Sequence, residues 1–237
     1  MNKAVPAPSA NGNDDGAARA VIDAAGTMLR TDRGGMPAGF VQLLFGRTAP
    51  EDLAGVGPAE IALLAREAWG FFASRKPGAA KVRVGTPAPE TGPYLKTISI
   101  VEIVNDDMPF LVDSVMGELA ERGLDLHLVA HPIVTVGRDG EGKLADIATQ
   151  LGGKEHGKAG SVRESYIHLH IDRIDDGEKR IELARAIEGV LADVRLCVQD
   201  WKPMLARVSA VIADLKQNPP PIPVDDIAVS SPLGLYQ

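Results

Sequence analysis

A single cysteine, Cys197, stands in the 237 residues. That excludes an intramolecular disulfide framework and any zinc or iron–sulfur site built from several thiolates, and it fits a reducing compartment. Aromatic side chains make up 4% of the chain, too few for platforms on which bases or sugars stack. Basic residues are outnumbered, with 25 Lys and Arg against 32 Asp and Glu for a formal charge of −7. This is the reverse of the clustered positive charge that marks a nucleic-acid interface. No apolar run reaches the roughly 18 residues of a membrane helix, and Met1–Asp15 lacks the apolar stretch of a signal peptide. The expectation is a cytoplasmic protein with neither nucleic acid nor membrane as a partner. Catalytic signatures are missing as well: there is no P-loop, HExxH or Gly-x-Ser-x-Gly. Gly137-Arg-Asp-Gly-Glu-Gly142 has the wrong spacing for a dinucleotide fingerprint and leads into no helix.

What is present is an ordinary share of apolar residues, 45%, in a chain long enough for one or two domains. Its 25 Gly and 17 Pro mark the joints. Residues 1–14 read as a disordered tail, 15–85 as a helical segment, and 86–93 (Thr86-Pro-Ala-Pro-Glu-Thr-Gly-Pro93) as a linker. Residues 94–217 form the main domain, and 218–237, opening on Asn218-Pro-Pro-Pro221, a proline-rich tail. In the helical segment, Ala17–Leu29, Phe40–Phe45 and Pro58–Ser74 carry apolar residues at helical spacing, with Pro58 suited to a first turn.

The period then changes. Leu95–Val104 is rich in β-formers, and Asn105-Asp-Asp-Met-Pro109 is a turn suited to opening the helix Phe110–Arg122, which Gly123 stops. Leu124–Val136 and Ser165–Ile171 alternate as strands. A helix carrying Ile181, Ala184, Ile187 and Leu191 follows, then a strand over Val194–Val198, and a last helix over Pro203–Lys216. The order β-α-β-β-α-β implies an α+β fold: an antiparallel, ferredoxin-like sheet with a helical preface and a C-terminal helix. Residues 137–164 form an insertion between the second and third strands, with a short edge strand over Lys143–Ile147.

A βαββαβ module whose first strand runs into Asn105-Asp-Asp-Met-Pro-Phe-Leu-Val-Asp-Ser114 resembles the ACT domains, a class of amino-acid-sensing modules. The run Ile103–Val115, followed by Leu128-Val-Ala-His-Pro-Ile133, resembles more closely the N-terminal region of the large bacterial NAD-specific glutamate dehydrogenases. The resemblance spans roughly residues 15–228. It implies an N-terminal regulatory or assembly module whose parent enzyme deaminates L-glutamate to 2-oxoglutarate with NAD, while this chain holds no catalytic domain and no cofactor of its own. Its partners would be downstream domains or other subunits, with an amino-acid effector as a further candidate. The alternatives are a stand-alone amino-acid-sensing module and a purely structural oligomerisation domain. Val229–Gln237 departs from the family pattern through Pro232 and Gly234, so the expectation is a truncated or frame-disrupted copy, or an end set artificially where the sequence was cut.

Two groups of candidate residues follow. ACT modules commonly hold an amino acid at the turn between the first strand and first helix, which here places Asn105, Asp106, Asp107, Met108 and Phe110 as ligand contacts. Many ligand-binding relatives carry Gly after the Pro, where this chain has Phe110. The plainer reading is a turn in which an Asp caps the helix. The second group is four histidines. His127 and His131 lie opposite the apolar side of the second strand, and His168 and His170 opposite that of the third, so all four are expected on the sheet face that helices leave open, with Glu102 nearby. Such a set could ligate zinc or another divalent metal. The leading expectation is instead a half-buried face packing on a partner domain or subunit.

Overall fold

The computed structural model describes residues 12–31, 35–88, 92–147 and 160–218. Its elements are α1 (Gly12–Met28), α2 (Phe40–Phe45), α3 (Pro58–Phe72), β1 (Lys81–Gly85), β2 (Ile98–Asp106), α4 (Leu111–Glu121), β3 (Leu126–Ala130), β4 (Ile133–Arg138), β5 (Leu144–Ile147), β6 (Val162–Asp172) and α5 (Gly177–Gln217). The α+β architecture with an antiparallel sheet is as expected. The chain divides into two units, one ending at Val194 and one starting at Arg195, and the described part of the second continues α5. The tail up to residue 11, positions 89–91 of the linker, the centre of the insertion (148–159) and the proline-rich stretch from 219 lie outside the described residues. Among those described, no helix is long and apolar enough to cross a membrane.

The six strands form one sheet in the order β1-β2-β6-β4-β5, with β3 also on β6. β6 pairs with β2 along one side and with β3 and then β4 along the other, all antiparallel. β3 and β4 are two halves of the strand expected over Leu124–Val136, interrupted at His131-Pro132, where proline has no N–H for the ladder. β5 fills the edge position expected at Lys143–Ile147.

β2 is buried at every position from Ile98 to Asn105. Successive strand residues point to opposite faces, so both faces must be covered. One face carries Ile100, Val104, Leu128, Ala130, Val134 and Tyr166 and shares a core with Ala25, Phe45, Ile61, Leu64 and Phe72 of α1–α3. The other presents Val101, Ile103, Ile167, Leu169 and Ile171, buried along with Leu111, Val115 and Leu119 of α4 and Leu183, Ile187 and Leu191 of α5. Pro58 opens α3, and the Glu60 carboxylate accepts the Gly57 N–H at 2.9 Å. Its second oxygen accepts the Tyr94 N–H at 3.1 Å, tying the approach to β2 onto the helix.

Two elements differ from expectation. Val194–Val198 is not a strand; it lies inside α5, which also absorbs the helix expected at Pro203–Lys216. Val194, Leu196 and Val198 do alternate, but the same stretch continues the helical spacing of Ile187, Leu191, Val194 and Val198. No Gly or Pro falls between Gly189 and Pro203 to turn the chain, so the helix runs on. The place beside β2 is taken instead by β1, from the segment read as helical. It pairs antiparallel with β2, with Arg83 opposite Glu102.

Candidate functional site

The end of β2 delivers the 105–110 turn. Asn105 is fully buried, Asp107 and Met108 are partly exposed, and Phe110 is 64% exposed. Neither aspartate caps α4, which has no side-chain cap. Asp106 accepts from Arg75 Nη2 at 2.6 Å. Asp107 pairs with Arg163 Nη2 at 3.0 Å and accepts from Ser165 Oγ at 3.3 Å. The two carboxylates are thus drawn to guanidinium groups rather than to the helix end, which corrects the capping expectation. Phe110 sits at the N-cap with φ 70°, the one non-glycine residue with positive φ among those described. A side chain there costs about 1–2 kcal/mol. Because the ring is exposed, Phe110→Gly should relieve the backbone without emptying a core site. A gain of up to about 1 kcal/mol is expected in urea unfolding; a loss of stability would mean the ring makes contacts that matter.

The four histidines do not meet. In an antiparallel ladder, residues opposite each other share a face, and Leu128 stands opposite His170 and Ala130 opposite His168. The apolar side of β3 therefore shares a face with the imidazoles of β6, and the two histidine pairs separate. His127 falls at the β-bulge between Leu126 and Leu128 and pairs with Asp172 at 2.9 Å. His131 approaches Ser165 Oγ at 2.9 Å. His168 and His170 are 1% and 0% exposed under the chain's own α1–α3 layer, so the face expected to lie open is covered from within. Among the described residues, no group of three or more His, Cys, Asp or Glu side chains is placed to hold a metal ion.

That covered face carries a row of polar side chains, Glu102, His168, His170 and Tyr94. Glu102, 3% exposed, stands opposite His168 and accepts from Tyr166 Oη at 2.7 Å and from Arg83 Nε at 2.7 Å. Burial pushes the Glu102 carboxyl up, but His168, Arg83 and Tyr166 together outweigh it and hold it down at about 2. His168 Nδ1 lies 3.5 Å from Glu102 Oε1, and His168 Nε2 lies 2.9 Å from His170 Nε2. His170 Nδ1 then meets Tyr94 Oη at 2.8 Å. Burial, with Asp52 and Glu60 nearby, raises the Tyr94 phenol to about 12. Tyr94 also lines a surface cleft of about 480 Å³ with Glu51, Asp52, His127 and Asp172.

A second buried cluster lies one step along β6. Glu164, fully buried, accepts from Arg75 Nε at 2.9 Å and, through both oxygens, from Arg138 Nε at 2.8 Å and Nη2 at 2.7 Å. Arg138 also donates to the carbonyls of Phe72 and Gly142. The Arg75 N–H donates to Gly142 O, and Gly142 has φ 81°, where a Cβ would strike the Arg75 carbonyl. Through Arg75 this cluster joins the end of α3, the β4–β5 hairpin and Asp106 of the 105–110 turn. Sequence reasoning passed over Arg75, Arg83, Arg138, Tyr94 and Glu164. Only Glu164 left a signal, in the alternation Glu164, Tyr166, His168, His170.

The family model described as glutamate dehydrogenase, ACT1 domain, matches residues 40–187. The chain is 33% identical over 181 residues to an NAD-specific glutamate dehydrogenase of Halomonas elongata, covering 76% of this chain and 11% of that protein. It is 33% identical over 147 residues to the NAD-specific glutamate dehydrogenase of Pseudomonas aeruginosa, covering 62% and 9%. The chain thus spans about a tenth of the length of the curated relatives it matches.

Proposed function

We propose, from the premise that this chain belongs to the glutamate dehydrogenase ACT1-domain family, that it is the N-terminal regulatory and assembly module of a large NAD-dependent glutamate dehydrogenase. The parent reaction would be oxidative deamination of L-glutamate to 2-oxoglutarate with NAD, carried out by domains other than this one. The module would work in the cytoplasm, against downstream domains or other subunits.

The assembly role is favoured over the sensing one by the 105–110 turn. An effector's ammonium would need a free carboxylate, but Asp106 and Asp107 are engaged by Arg75 and Arg163. An effector bound there would have to displace those guanidinium groups, and the Asp106 pair is largely buried on the arginine side. The amino-acid-sensing reading is kept for Asn105, Met108 and Phe110, which border the same turn.

The test is a graft. Substituting this chain for the matched segment of the Halomonas elongata protein should preserve glutamate-dependent NAD reduction and the oligomeric state, and deleting that segment should lower both. Unchanged kinetics and assembly after the deletion would sink the proposal. Calorimetry of this chain with millimolar glutamate or aspartate separates the two roles: saturable heat would return the sensing reading to first place.

A further inference from the structure

A hydrogen bond between two imidazole nitrogens holds one proton. At 2.9 Å, His168 Nε2 and His170 Nε2 must be one donor and one acceptor. If His168 donates, His170 receives at Nε2 and gives its Nδ1 proton to Tyr94 Oη. In the other arrangement Tyr94 donates to His170 Nδ1, His170 gives its Nε2 proton to His168, and the His168 Nδ1 proton faces Glu102. The second order leaves no lone pair facing another, whereas the first sets a bare His168 Nδ1 against Glu102 Oε1 at 3.5 Å; both fail when the two imidazoles are charged together, because two N–H groups then face each other in a dry site.

We propose that the His168–His170 pair is an acid-sensitive lock that holds the α1–α3 layer over the sheet, and that a proton taken up by His170 opens this layer.

The pair lies directly beneath that layer. The His168 ring meets Phe45 of α2 edge-on at 5.5 Å, and His170 meets Tyr94 at 5.6 Å. Room for a second charge would have to come from moving these rings away. The groups facing the pair come from every neighbouring element. They are Glu102 from β2, with Arg83 of β1 behind it; Tyr166 from β6; His127 from β3; Tyr94 from the approach to β2; and, beyond Tyr94, Glu60 of α3 and Asp52. The Glu102 carboxylate faces His168 at 3.5 Å, and among the described residues no carboxylate touches His170.

The sign follows from linkage. Burial, then His168 and His127, hold His170 well below the ordinary histidine value of 6.5. A histidine held neutral in the closed state adds stability that is complete above pH 6.5 and is lost as pH falls below it. Glu102 acts later, between its usual 4.5 and about 2. Asp52, whose carboxyl is raised by burial, acts in the opposite sense. His131 is also held down by burial, but it stands at Ser165, on the β6 face turned away from the α1–α3 layer.

The experiment is amide hydrogen exchange on the full chain between pH 7.5 and 5.0, corrected for intrinsic rates. Protection of the α2 and α3 amides should be flat above pH 6.5 and fall about tenfold per pH unit below it, while α4 keeps its protection. His170→Gln, which keeps a polar group without titrating in this range, should abolish that slope. A flat wild-type profile, or an equal slope in the variant, overturns the proposal. If the variant does not fold, nitrogen-15 NMR of the wild-type imidazoles decides. Full protonation of His170 while the α3 amides stay protected would overturn the proposal, and loss of protection in step with that protonation would support it.

Discussion

Glu164→Gln should lower the unfolding free energy by about 3–5 kcal/mol, a large share of the roughly 5–15 kcal/mol that holds a typical domain together. Glu164 is fully buried, and the side chains of Arg75 and Arg138 beside it are 2% and 4% exposed. An amide keeps the shape but removes the carboxylate charge that both guanidinium groups share. Arg75 retains Asp106 on its other side; among the described residues Arg138 retains the Phe72 and Gly142 carbonyls and the face of the Phe72 ring. Two buried cations within reach of one neutral amide repel each other. Urea denaturation measures the loss directly. Replacing all three residues with apolar ones of similar volume should restore most of it, since a buried ion pair is worth little against good packing. A loss under about 1 kcal/mol for the single change would place the cluster in the solvated class of ion pairs and refute the pinning role.

Phe72→Ala should cost a comparable amount, about 3–5 kcal/mol. The ring is fully buried. It stacks on Tyr166 of β6 with centroids 5.3 Å apart and lies 6.3 Å from Phe40, so it joins helix to sheet at the centre of the shared core. Truncation leaves a hole lined by rigid aromatic rings, which cannot close without shifting Tyr166 and hence its hydrogen bond to Glu102. The two substitutions should also be non-additive, because Arg138 lies over the Phe72 ring at 5.3 Å while holding Glu164. A double variant equal to the sum of the singles would mean that ring and ion cluster act independently.

The legible parts of this molecule were those whose information is local. β2, α4 and the edge strand β5 follow from residue type and short spacing, and α3 from its proline and its apolar stripe. The covered histidine face was half legible: alternation grouped His168 with His170, but the faces of two different strands can be compared only through their pairing. Register depends on contacts far apart in the chain, and a bulge at His127 has no signature in single-sequence alternation. The ion cluster was harder still, since Arg75 and Glu164 are 89 positions apart and an arginine in a loop looks solvated until its partner is known. The false strand at Val194–Val198 shows the limit of periodicity: five residues satisfy both periods, and only a missing turn residue separates them.

β1 changes what counts as the beginning of the module. In a βαββαβ sheet the strand beside the first is normally supplied by the last element in sequence, whereas here it comes from ahead of the first. The arrangement is that of a circular permutant, with the closing strand moved to the front and joined to its neighbour as a hairpin. A fragment cut at residue 94, the start of the βαββαβ reading, would leave those main-chain amides and carbonyls of Ile100–Val104 that face β1 without their ladder partners. Such an edge invites any extended chain to add itself. A piece that keeps this edge covered therefore begins before Lys81.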